Sequence, residues 1–375
     1  MSGTAPAPAA LRILHTESSL GWGGQEIRVL GEARGVAARG HHVLLAAPAA
    51  SRIYAEAPAF GVEAIALAIG RKGLAGLSSM RRLLARREFD VVNTHSSTDS
   101  WLAALACATL RDAPALVRTR HISAPAPRNA ATRWLYTKAA QRIVTTGERL
   151  REQVIEETGA QPANVVSIPT GIDLSRYRPG DRAAARARLA LPSDRPIVGI
   201  VATLRSWKGH RHLLRALAGL EARDAFLAIV GDGPQRAALE GLAAELSLGE
   251  RVRFAGNQAD VVPWMQAFDV FCLPSYANEG VPQALMQAMA CGVPVLTTPI
   301  GSIEEIVSDG ATGVLVPPGD VERLRAALDA LLADAARREA LGRNAREAAL
   351  GRFGEAHMVD RMIEVFRGAV EIRRG

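Results

Sequence analysis

Short aliphatic and β-branched runs alternate with amphipathic stretches of about a dozen residues along most of this chain, and that rhythm limits the fold more than any other feature. Parallel strands need a long, usually helical crossover, so the pattern predicts βαβ units and parallel sheets. In the first half, LRILHT (11–16), HVLLAA (42–47), DVVNTH (90–95), ALVRTR (115–120), RIVTT (142–146) and NVVSI (164–168) are the expected strands. A second series runs through PIVGIVATL (196–204), AFLAIVG (225–231), RVRFAG (251–256), DVFCLPS (269–275), VPVLTT (293–298) and TGVLVP (312–317). Two Rossmann-like α/β domains in tandem follow, and 375 residues are enough for both. The break should fall in IPTGIDLSRYRPGDR (168–182), where Pro and Gly interrupt the pattern. The expected domains are 1–175, completed by a C-terminal helix at 356–375, and 176–355. Residues 1–10, small and Pro-rich, read as a frayed arm. Open parallel sheets place ligands at the carboxyl ends of their strands, so the cleft between the domains is the expected active site.

Charge separates the halves. Residues 1–180 hold 22 Lys and Arg against 14 Asp and Glu, whereas 181–375 hold 23 against 24. A basic first half suggests an acidic surface or substrate, such as a phosphorylated glycan or anionic lipid headgroups. RKGLAGLSSMRRLLARRE (71–88) concentrates this charge around Leu74, Leu77, Met80, Leu83 and Leu84. It reads either as a weak contact with an anionic membrane or as a solvated helix packed on its own sheet. Scattered aromatics and the lack of any RNA-binding or recognition-helix signature argue against nucleic acid. No apolar run reaches the length that spans a bilayer. The first residues lack the basic start and apolar core of a signal peptide, so the expected location is the cytoplasm, with peripheral contact at the inner face of the cell membrane. Cys107, Cys272 and Cys291 stand singly in apolar stretches, which predicts buried free thiols rather than disulfides or zinc ligands.

LPSYANEGVPQALMQAMACGVPVLTT (273–298) is the most informative segment. A strand ends at Pro274, a polar loop carries Glu279, Gly280 and Val281, and Pro282 suits the first turn of a helix running to about Cys291, closed by Gly292. Leu285, Ala288 and Met289 form its inward face, with Gln283 and Gln287 one turn apart on another. Free amides at such a helix start bind anions or polarised hydroxyls.

This segment resembles glycosyltransferase family 4, a retaining family whose mark is Glu, seven residues, Glu in this loop and helix. Glu279 is the first member, and position 287 carries Gln instead. The resemblance implies the GT-B fold, two Rossmann-like domains facing each other across a cleft, with Glu279 at the donor sugar and position 287 at the ribose hydroxyls. It extends over nearly the whole chain. SLGWGGQEIRVLGEARGVAARGHHVLLAAP (19–48) is similar to the family's glycine turn, helix and strand, which sets Gly23 and Gly24 where backbone approaches a diphosphate. TLRSWKGH (203–210) resembles the segment whose Arg and Lys hold the donor phosphates. Lys208 matches directly; the family's Arg position is Thr203, and Arg205 stands two residues later as its replacement. A positive pair there would stabilise the charge gathering on the departing diphosphate. His121 corresponds to the family histidine beside the reacting carbon, and His95 either orients the acceptor or packs. GDGPQR (231–236), with Gly231, is the family's turn beside the nucleotide, and Asn257 and Gln258 are candidates for reading the base. Glu304 and Glu305 read as helix surface.

The resemblance further implies transfer from a nucleotide diphosphate sugar, with UDP favoured over GDP, and neither metal nor cofactor. The enzyme would be of hexosyl or N-acetylhexosaminyl type. The acceptor would be a glycan or lipid-linked molecule of bacterial envelope polysaccharide or lipopolysaccharide biosynthesis. A GT-B nucleotide-sugar epimerase and a non-catalytic sugar-nucleotide-binding protein are the alternatives. Gln287 yields a test, since a carboxylate there makes charge-assisted hydrogen bonds roughly twice as strong as neutral ones. Gln287→Glu is expected to discriminate more strongly than the parent between ribo and 2′-deoxyribo donors, as measured by titration calorimetry. Equal discrimination in both proteins would remove position 287 from the ribose.

Overall fold

The computed structural model describes residues 9–86, 88–122, 124–277 and 279–375; residues 1–8 of the expected arm and Arg87 of the basic stretch lie outside them. The chain divides into two compact units. The first runs to Gly171 and takes back Glu355–Gly375, and the second is Ile172–Gly354.

Among the described residues, the first unit carries a seven-stranded parallel sheet in the order β3-β2-β1-β4-β5-β6-β7. Its strands are β1 (Arg12–Thr16), β2 (His42–Ala47), β3 (Glu63–Ala66), β4 (Val91–Thr94), β5 (Ala115–Arg120), β6 (Arg142–Thr145) and β7 (Val165–Ser167). β3 is absent from the sequence expectation, because EAIA has little β-branched character and forms an edge. Successive side chains feed opposite cores, as the two-residue period of a strand requires. Ile13, Val91, Val117 and Val144 pack against Met358, Met362 and Phe366 of the C-terminal helix Glu355–Arg374. Their neighbours Leu14, Val92, Leu116 and Ile143 face the other way, into a core with Met80, Leu83, Leu102 and Val154 from three further helices. Burying a side chain as large as Phe366 contributes about 1.5–3 kcal/mol, so the C-terminal helix belongs to the first unit energetically as well as spatially. Arg34 fixes its start, donating to both Glu355 oxygens at 2.8 and 2.9 Å.

The second unit holds, among the described residues, a six-stranded parallel sheet ordered β10-β9-β8-β11-β12-β13. These strands are β8 (Ile197–Val201), β9 (Phe226–Val230), β10 (Val252–Gly256), β11 (Val270–Leu273), β12 (Val295–Thr297) and β13 (Val314–Leu315). Near its beginning a buried ion pair fastens helix to sheet: Arg186 Nη2 donates to Asp269 Oδ2 at 2.6 Å, and the same oxygen accepts the Ile197 amide at 2.7 Å.

The helix after Glu279 spans Gln283–Ala290, with Cys291 as its C-cap and Gly292 beyond it at φ +73°. Pro282 does not sit inside the first turn as expected. It is the extended N-cap residue, because its ψ of 119° leaves the helical region. Met286 joins Leu285, Ala288 and Met289 in the core, while Gln283 and Gln287 are half-buried. The basic stretch forms a helix at Leu74–Leu84 whose Met80, Leu83 and Leu84 are buried; Leu74, Arg71, Lys72, Arg81, Arg82 and Arg86 stay exposed. Cys107, Cys272 and Cys291 are free and buried. Among the described residues, no helix is long and apolar enough to cross a membrane.

Candidate functional site

Polar side chains gather at the carboxyl ends of the strands in each unit. In the second unit, the loop after β8 tightens into a 3-10 turn, Ser206–Lys208, and meets the loop after β11. The Tyr276 amide donates to the Trp207 carbonyl at 2.9 Å, joining the two loops. Gly209, at φ +78°, lies so close to Pro274 that a Cβ would fall 1.9 Å from its carbonyl oxygen. Gly301, at φ +63°, would meet the Glu279 carbonyl oxygen at 2.0 Å. Only glycine allows either approach. The loops thereby present one ion pair: Lys208 Nζ donates to both Glu279 oxygens at 2.7 and 2.9 Å, and Ser275 Oγ donates to Oε1 at 2.6 Å. Glu279 is buried and Lys208 half-buried, so the carboxylate is fixed rather than freely rotating.

The other sequence candidates of this unit are placed as follows. Arg205 is exposed with its guanidinium carbon 5.8 Å from the centre of the Trp207 ring, outside the Lys208–Glu279–Ser275 cluster. Gly231 donates its amide to the Gly256 carbonyl at 2.8 Å. Asn257 is exposed, and Gln258 Nε2 donates to the Ala255 carbonyl at 2.7 Å. Gly280 accepts the Ser302 amide at 3.3 Å, and Val281 and Pro282 are buried. Glu304 is exposed and Glu305 half-buried in a 3-10 turn.

In the first unit, three imidazoles stand in file. His15 Nδ1 and His95 Nε2 are 3.0 Å apart, as are His95 Nδ1 and His121 Nε2. They come from β1, from the residue after β4 and from the residue after β5; the adjacent pairing of these strands brings them together. His121 is half-exposed, whereas His95 and His15 are buried. Burial lowers all three pKa values, that of His15 to about 3, so each ring is neutral. Behind His15 lies a buried pair on the helix Gly24–Ala37, with Arg28 Nε 3.7 Å from Glu32 Oε2. Asn93 Nδ2 donates to Glu32 Oε1 at 3.0 Å, and Arg28 Nη1 donates to the Ile168 carbonyl at 2.9 Å. Burial raises the Glu32 pKa to about 7.

His15, Glu32 and His95 bring ligand-type atoms within 4.8 Å of one another. Both His95 nitrogens are taken by other imidazoles, and the Arg28 cation adjoins Glu32, so this arrangement opposes a divalent ion. Nearer the helix start, where Gly23 is the extended N-cap and Gly24 the first helical residue, lies a second acidic group. Glu17 accepts the Ser19 amide at 2.7 Å and Gln25 Nε2 at 2.5 Å, and Asp99 accepts Thr16 Oγ1 at 2.8 Å and the His95 amide at 2.9 Å. Burial first, then the Asp99 charge, raises the Glu17 pKa.

Sequence reasoning named His95 and His121 but missed His15, Glu17, Arg28, Glu32, Asp99 and Ser275. His15 and Glu17 were within reach, because they end or follow a predicted strand just as His95 and His121 do. Arg28 and Glu32 also left a signal, being charges one turn apart beside the apolar positions Val29, Ala33 and Val36.

Residues 22–176 match the family described as Glycosyltransferase Family 4, and residues 181–348 match Glycosyl transferases group 1. The D-inositol 3-phosphate glycosyltransferase 1 of Catenulispora acidiphila is 33% identical over 320 residues, covering 78% of this chain and 75% of its own. The D-inositol 3-phosphate glycosyltransferase of Nocardia farcinica is 36% identical over 257 residues, covering 66% of this chain; the chain spans only 56% of that relative's length. In fold, the chain is similar to the crystal structure of Anabaena HepE in complex with UDP and glucose, with a TM-score of 0.83 at 21% identity, covering 94% of this chain and 98% of that one.

The buried neutral His15 makes stability depend on pH. Its folded pKa lies below the unfolded value, so the unfolded chain takes up the proton first and stability falls as pH drops from 6.5 towards 3. Between pH 7.5 and pH 5 the parent should lose about 2 kcal/mol more than His15→Asn in urea unfolding. Parallel curves for the two proteins would show that His15 is not buried as a neutral ring.

Proposed function

The chain belongs to glycosyltransferase family 4, and from that membership we propose that it is a retaining glycosyltransferase drawing on a nucleotide diphosphate sugar, with UDP as the favoured nucleotide. The observation that carries the reading is the Lys208–Glu279 pair, anchored by Ser275 at the carboxyl end of a parallel sheet. Lys208 supplies positive charge for the departing diphosphate, and Arg205 adds a second cation if its exposed side chain turns from Trp207. Glu279, released in part from Lys208 by the phosphates, accepts hydrogen bonds from the sugar hydroxyls. Gln283 and Gln287 face the nucleoside, Gln287 accepting from the ribose. In the first unit, His121 meets a substrate hydroxyl. The anomeric C–O bond to the diphosphate breaks while the acceptor oxygen bonds to the same carbon from the same face, and the acceptor's proton passes to the departing phosphate.

The acceptor is an anionic or lipid-linked molecule of the bacterial envelope, which the excess basic charge of the first half favours. A second reading, a small phosphorylated cyclitol, is favoured by the names of the Catenulispora and Nocardia relatives. Incubation of a UDP-sugar with lipid-linked glycan or with D-inositol 3-phosphate separates the two by which product forms. Transfer of a hexosyl or N-acetylhexosaminyl group, with no turnover of the donor alone, distinguishes both from an epimerase.

Two outcomes check the proposal. Glu279→Ala should lower transfer more than tenfold, at least about 1.4 kcal/mol of transition-state stabilisation, while circular dichroism still reports a folded protein. Full activity in that variant would remove Glu279 from the site. The second concerns Arg71, Lys72, Arg81, Arg82 and Arg86, exposed beside Leu74. Each basic group near an anionic surface contributes roughly 1 kcal/mol, so the chain should float with acidic-lipid vesicles at low salt and separate at high salt. Failure to float at low salt would exclude peripheral contact with the inner face of the membrane.

A further inference from the structure

The file of three imidazoles obeys a counting rule. Each neutral ring holds one hydrogen and each N···N contact needs exactly one, which leaves a single hydrogen for the two outer nitrogens, His15 Nε2 and His121 Nδ1. The three rings therefore share one of two states. Either all carry their hydrogen on Nε2, or all carry it on Nδ1. A mixed file would leave one contact with two hydrogens or with none.

The charges along the file decide between them. His15 Nε2 is buried without a hydrogen-bond partner, as is Glu32 Oε2, and a ligand-type nitrogen of His15 lies within 4.8 Å of a carboxylate oxygen of Glu32. Arg28 and Arg118 act on His121 and Arg28 acts on His95, whereas burial alone acts on His15, so the state with a bare His121 Nδ1 turns the negative pole of the file toward these cations and its positive pole, His15 Nε2–H, away from them.

We propose that His95 and His15 are positioning residues that lock His121 as its Nε2–H tautomer, so that its Nδ1 offers a lone pair to a substrate hydroxyl. The lock follows from geometry. For His121 to change its tautomer, three hydrogens must shift together and the positive pole of the file must turn toward Arg28 and Arg118. A histidine so held accepts a hydrogen bond and cannot donate one, which selects a hydroxyl over a carbonyl or phosphate oxygen as its partner. The role of the outer nitrogen rests on the proposed function; the tautomer does not.

Long-range 15N–1H correlation of the full chain labelled at histidine tests the lock. At pH 8, with Glu32 ionised, His15, His95 and His121 should each show hydrogen on Nε2 and none on Nδ1, assigned through single substitutions. Hydrogen on Nδ1 of any of the three, or averaging between tautomers, would overturn the proposal. In His95→Phe the lock should be lost and His121 should average; a His121 still fixed as Nε2–H would show that the file does not hold it. His95→Gln guards against a folding defect, since its amide can accept from His121 and donate towards His15, and it should keep His121 on Nε2–H. A His121 that averages in this folded variant also counts against the file. Added UDP-sugar should shift the Nδ1 resonance of the parent. Fixed tautomers without that shift would strike the proposed function while leaving the lock in place.

Discussion

Burial of both faces of a parallel strand is the constraint from which the rest follows. A strand such as β1 sends Ile13 to one core and Leu14 to the other, so helices must cover both sides of the sheet. Strands that run parallel also end together. Polar residues that the cores reject, His15 with Glu17, then His95, then His121, are thereby brought to one edge from segments about a hundred residues apart.

At the carboxyl ends of its own strands each unit takes polar side chains out of water without leaving their charges behind, and each does so differently. In the second, an ammonium and a carboxylate neutralise one another, and a serine hydroxyl occupies a remaining carboxylate lone pair. In the first, burial removes charge from the histidines, and neutral rings satisfy each other as donor and acceptor. Both solutions fix side chains before any ligand arrives, the condition for aiming a polar group at a reacting atom.

The two solutions suit different tasks. A lysine held by a carboxylate can exchange that partner for a phosphate with little loss, since one anion replaces another. A file of neutral imidazoles keeps its direction when a substrate binds, because turning one ring means turning all. Family membership supplies the class of reaction, and these two arrangements are how this chain would carry its share of it.

The alternation of aliphatic runs and amphipathic stretches determined the two parallel sheets, since periodicity and crossover length are local properties. The helix after Glu279 was also legible, from Pro282 and Gly292, although whether Pro282 stands inside its first turn depended on one backbone angle. β3 was not legible, because EAIA becomes a strand only when β2 offers an edge. Glu279 and Lys208 could be named from sequence, but 71 positions separate them, and only the packing of Gly209 on Pro274 and Gly301 on Glu279 brings them within 2.7 Å. The same holds for His15, His95 and His121. Sequence set each at a strand end, while the order of β1, β4 and β5 made them neighbours. Local chemistry writes the element into the sequence, whereas the partner of a buried polar group is decided by which strands lie side by side.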